Sequence, residues 1–153
     1  CIRGSYYITH ALAQQVGPAE GDDLIEKIAW QDGRNVNIRS ELEGGSAGIR
    51  AESQMTLRLK DFNYQAVKPL GDKVARALPF ASECKQGMVY LVRGDWNKMY
   101  IDALHRFDGT HIPLTNDLVD ASSGLYSCIQ NMGAIAHTPI KSAKAASDLF
   151  AGY

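Results

Sequence analysis

No run of this 153-residue chain is apolar for long enough to cross a lipid bilayer. Its opening residues carry no signal-peptide pattern, and no lipidation motif is present, so no membrane partner is expected. Cysteine is scarce. The three present, Cys1, Cys84 and Cys128, are odd in number and widely spaced. They form neither a CxxC pair nor a Cys/His ligand pattern, which excludes a zinc-finger frame and a disulfide scaffold. Reduced thiols in a cytoplasmic protein are the expectation. None of the four histidines pairs with another at metal-ligand spacing. Net charge is near −1, so any nucleic-acid surface must be a local patch. A GxxxxGKS/T phosphate loop, a GxGxxG fingerprint and a GxSxG elbow are all missing, which leaves a small-molecule α/β enzyme with little support. Internal repeats and low-complexity segments are also lacking.

What is present is an ordinary globular composition, 45% hydrophobic and 22% charged, in one domain able to bury a core. Strand and helix patterns alternate. Residues 5–12 mix β-formers and read as a strand. Gly17-Pro18 opens a helix whose Leu24, Ile25, Ile28 and Ala29 recur at helical spacing until Gly33. A second strand spans 36–40, with Val36, Ile38 and Ser40 on one face. The small-residue turn 43–48 leads into a helix over 49–59. A strand at 64–67, a loop at 68–71 and a helix from Asp72 that Pro79 should interrupt come next. Residues 88–92 read as a fourth strand and 96–107 as a helix. The Pro113-containing loop 110–114 precedes a last helix, and periodicity fades after Gln130. Such alternation implies an α/β sheet with helices packed on it. Residues 1–130 are expected to form the domain and 131–153 a tail or short helix.

The chemistry concentrates in acids. Thr115-Asn116-Asp117-Leu118-Val119-Asp120-Ala121 puts two carboxylates three residues apart, on one face of the first turn of the last helix. Thr115 or Asn116 as N-cap, with acids favoured by the helix dipole, accounts for this arrangement. So does a site where carboxylate oxygens hold Mg²⁺ or Mn²⁺. Glu41 and Glu43 sit where the second strand exits, the end at which ligands gather in open α/β sheets. Either alone also suits a solvated loop edge. Lys73 and Arg76 lie one helical turn apart and are candidates for DNA phosphate contact, with Lys68 and Arg93 as weaker neighbours. A plain solvated helix face would look the same.

The order of these segments resembles the C-terminal nuclease domain of the large terminase subunit of tailed bacteriophages, over roughly residues 5–127. Tyr6-Tyr7-Ile8 looks like that family's second strand. Ser40-Glu41-Leu42-Glu43-Gly44-Gly45-Ser46-Ala47-Gly48 is similar to its acidic strand end and Gly-Ser-Ala-Gly turn. Gly71-Asp72-Lys73-Val74-Ala75-Arg76-Ala77 resembles its Gly-Asp-Lys-x-x-Arg-Ala segment. Phe107-Asp108-Gly109 followed by Asn116-Asp117-Leu118-Val119-Asp120-Ala121 resembles its Asp-Asp-x-x-Asp-Ala ending, with Asn116 in place of the usual Asp.

The resemblance implies a ribonuclease H-like fold with a mixed central sheet flanked by helices. It implies a metal-dependent endonuclease that cuts concatemeric viral DNA, with Glu41, Asp117 and Asp120 as catalytic, metal-binding acids. Two Mg²⁺ or Mn²⁺ ions would be the cofactors, since hard ions want carboxylate oxygens. Double-stranded DNA, the portal protein and the small terminase subunit would be partners, in the cytoplasm of the bacterial host. Lys73, Arg76 and Lys68 would hold the DNA backbone. The family's first acid lies on a strand before the Tyr-Tyr segment, upstream of Cys1, so a fragment is expected. A catalytically silent DNA- or portal-docking module on the same scaffold is the alternative.

Overall fold

The computed structural model describes residues 4–109 and 115–136. The chain is mixed α/β, running β1 (Tyr6–Ile8), α1 (Pro18–Asp32), β2 (Asn37–Glu41), α2 (Gly45–Arg58), β3 (Asn63–Val67), α3 (Lys73–Lys85), β4 (Val89–Leu91), α4 (Asn97–Arg106) and α5 (Thr115–Ala136). The described strands form two parallel pairs, β1 with β4 and β2 with β3, where the sequence suggested one central mixed sheet.

Each pair carries its own core. Strand β2 lies beside β3 with Ile38 opposite Tyr64 and Glu41 opposite Val67. Alternation along β2 sends Ile38 inward, where it meets Tyr64, Phe62 and the buried Ala29, Met55 and Leu59. Helices α1 and α2 supply those three buried side chains or their immediate flank. Arg58 ties these helices together outside the core through Asp22, Asp23 and Glu26. The second core joins Ile8 of β1 and Leu91 of β4 to Tyr100 and Ala103 of α4 and Leu118 of α5. Tyr100 is buried, and its hydroxyl bonds Ser122 Oγ at 2.7 Å, while that Oγ donates to the Leu118 carbonyl. The polar tip of a buried tyrosine is thereby satisfied.

Several boundaries follow local rules. Pro18 opens α1 at its first turn, and Gly33 closes it at φ 90°, donating its N–H to the Ala29 carbonyl. Asp72 caps α3, its carboxylate accepting from the Ala75 N–H at 2.9 Å. Others depart from the local reading. Helix α3 passes through Pro79 to Lys85 without breaking. Its buried Ala77 and Phe80 explain this, because Phe80 packs against Tyr126 of α5 and holds the helix across the missing N–H. Thr115 and Asn116 are buried residues in the first turn of α5. Helix α5 continues past 130, the expected domain limit, to Ala136. Strand β1 is shorter than the run 5–12, and His10 falls after it. Helix α2 begins at Gly45, inside the expected turn. Cys1, the loop 110–114 with His111, and the tail from 137 on lie outside the described residues.

Candidate functional site

The acidic site is built where β2 and β3 end, between α3 and α5. Strand β2 delivers Glu41 as its last residue. The chain then turns sharply, and the reason lies in one glycine. A Cβ at Gly48 would stand 2.3 Å from the Glu43 carbonyl oxygen, so only glycine lets α2 fold back over the strand end. Glu43 belongs to this turn and is exposed. Strand β3 ends opposite Glu41 and continues into Lys68, Pro69 and Leu70. Helix α3 then starts at Lys73 and packs along α5.

A cavity of about 530 Å³ occupies this junction. Glu41, Lys68, Arg76, Asp117 and Asp120 line it on the polar side, and Val67, Leu70 and Leu125 are among its apolar walls. Glu41 and Asp120, 79 positions apart in sequence, thus share one cleft. All three candidate acids are at this site, and Glu43 is not among its lining residues.

The acids differ sharply in their surroundings. Asp117 is exposed. Asp120, one helical turn on, is buried, with a side chain 11% accessible. Both of its carboxylate oxygens are taken: Lys73 Nζ donates to Oδ2 at 2.6 Å, and Arg76 Nη2 donates to Oδ1 at 2.9 Å. The same Arg76 Nη2 reaches Glu41 Oε1 at 3.2 Å, and Nη1 reaches the Gly71 carbonyl at 3.3 Å. The guanidinium fork therefore bridges the β2 end and α5, while α3 carries it. Lys73 and Arg76, read from the sequence as free to meet DNA, are engaged within the protein. Lys68 lines the cavity, and Arg93 is exposed outside its lining.

Sequence reasoning did not anticipate this network. A sequence signal existed, since Lys73 and Arg76 three apart on a helix present two cations on one face. Nothing local says that the face meets Asp120. Arg39 and Ser40 also line the cavity. The Ser40 hydroxyl is fixed by Tyr64 Oη at 2.8 Å, which braces the strand beside Glu41. A further link missed by sequence reasoning crosses from α3 to α5, where Tyr126 Oη donates to Glu83 at 3.0 Å. Burial and the neighbouring Glu83 carboxylate push the Tyr126 phenol up to about 12. Cys84 is exposed and Cys128 half-buried beside the cavity. His105, in the last turn of α4, is not among the lining residues.

In kind, the donor set suits a hard divalent ion, because Glu41, Asp117 and Asp120 are all oxygen donors. The charge balance there already includes two side-chain cations standing where positive charge is wanted. Among the described residues, no three His, Cys, Asp or Glu side chains are gathered into a ready-made cage. Likewise, no described helix is long and apolar enough to cross a membrane.

Comparison with known proteins adds no relative: no family model, no curated protein and no solved structure matches the chain.

Proposed function

We propose that this chain is a ribonuclease H-like nuclease domain of the large-terminase type, acting on double-stranded viral DNA in the bacterial host. One observation carries the reading. Glu41, Asp117 and Asp120, named by the resemblance as the acids of the site, line a single cavity although two elements far apart in sequence supply them. Glu41 and Asp117 would hold Mg²⁺ or Mn²⁺. When bound, such ions supply the Lewis acidity and charge stabilisation that phosphodiester hydrolysis requires. The chain's own residues do the positioning. Arg76 and Lys73 fix Asp120, Ser40 and Tyr64 brace the strand that presents Glu41, and Lys68 offers a cation at the cavity to a phosphate. The portal protein and the small terminase subunit are the proposed protein partners.

The test is plasmid cleavage by this chain, alone and extended by any residues that precede Cys1 in its reading frame. It is run with Mg²⁺ or Mn²⁺ and an EDTA control. Glu41→Ala is expected to abolish cleavage and Glu43→Ala only to weaken it. The reverse ranking would contradict the assignment of Glu41. A second reading, a silent docking module, is favoured by the internal pairing of Lys73 and Arg76 with the acids. DNA retention without cleavage in every form of the protein would select it.

A further inference from the structure

We propose that Arg76 is an exchangeable counter-ion: it occupies Glu41 until a divalent cation arrives, then stays anchored on Asp120 and offers its freed N–H to a phosphate. The inference rests on the reading of Glu41 as an ion ligand and adds to it a built-in competitor.

The two halves of the Arg76 bridge are unequal. The Asp120 half is short, at 2.9 Å, and lies against a side chain only 11% exposed. Asp120 is further fixed by Lys73 at 2.6 Å. The Glu41 half is longer, at 3.2 Å, and its carboxylate is 41% exposed. Charge-assisted bonds strengthen as they shorten and as water is excluded, so Glu41 is the partner that lets go first. Its release leaves the guanidinium held by Asp120 and by the Gly71 carbonyl at 3.3 Å. No buried charge is then left alone, which is the costly outcome for ion pairs of this kind.

A dication at Glu41 replaces one positive charge by two, so the carboxylate remains compensated throughout. Arg76, which carries the donor that Glu41 gives up, lines the same cavity as Lys68. Cation and phosphate binding become linked, each strengthening the other by the same factor. In the resting state the negative charge of the cleft is reduced from within. Two of its three acids, Glu41 and Asp120, are already neutralised.

Two measurements test this. The first uses the unaltered chain: the side-chain nitrogen resonances of Arg76 are followed by NMR as Mg²⁺ is added. They are expected to move and saturate with the cation, and resonances that stay fixed at saturating Mg²⁺ would overturn the exchange. The second is Mn²⁺ affinity by electron paramagnetic resonance. Arg76→Gln removes the competitor and is expected to tighten Mn²⁺ binding roughly fivefold, the size of one partly exposed charge pair. Glu41→Gln is expected to lose Mn²⁺ binding. If Arg76→Gln binds Mn²⁺ no better while Glu41→Gln binds none, the ion site stands and the competitor does not. If neither the parent chain nor any variant binds Mn²⁺, the nuclease reading fails and takes this inference with it.

Discussion

Asp117 and Asp120 are three residues apart on one helix, yet their carboxylates should behave as different chemical objects. Asp120→Asn tests this. The substitution keeps the shape and one acceptor oxygen but removes the charge that faces Lys73 and Arg76. Its cost lies between two limits. Removing one partner of a fully buried ion pair costs about 3–5 kcal/mol. Exposed pairs are worth about 0–1 kcal/mol. Lys73 is 40% exposed and can turn to water, so its share belongs near the lower limit. Arg76 is 19% exposed and keeps Glu41 and the Gly71 carbonyl, so its share is intermediate. A loss of about 2 kcal/mol follows, which for a chain of this size lowers Tm by roughly 4–8 °C. The exposed Asp117→Asn should stay within about 0.5 kcal/mol of the parent. Urea unfolding and calorimetry of the three proteins side by side are the assay. Equal stabilities for the two variants would refute the claim that Asp120 clamps α3 to α5.

Three further outcomes are expected. Gly48→Ala should destabilise by about 1–3 kcal/mol, because its Cβ would meet backbone, the Glu43 carbonyl, which cannot move aside as a side-chain tip can; an unchanged Tm would show that the turn relaxes. The Tyr126 phenol is raised to about 12 from an ordinary value of 10, so the folded state holds its proton longer than the unfolded state. Its stabilising contribution is complete below pH 10 and is lost as pH rises from 10 through 12; Tyr126→Phe should flatten that alkaline loss in pH-dependent urea unfolding. For DNA, Lys68→Ala should weaken binding and flatten the slope of log affinity against log salt by about one unit; an unchanged slope in a filter-binding titration would remove Lys68 from the DNA surface.

The sequence by itself determined what depends on neighbours along the chain. Helix α1 was legible because Pro18 and Gly33 bound an apolar helical repeat, and β2 because Ile38 alternates with polar residues. The Glu41 strand end and the glycine turn were legible for the same reason, although the start of α2 lay earlier than the turn residues suggested. Only tertiary structure decided the rest. Pro79 reads locally as a break, but the packing of Phe80 on Tyr126 outweighs one lost hydrogen bond. Asp117 and Asp120 read alike in sequence, and only the approach of α3 buries one and leaves the other in water. Lys73 and Arg76 read as a solvated or DNA-facing pair. Their real partners lie 47 and 44 residues away, and ion pairing across that span is set by how helices pack, which no local pattern encodes.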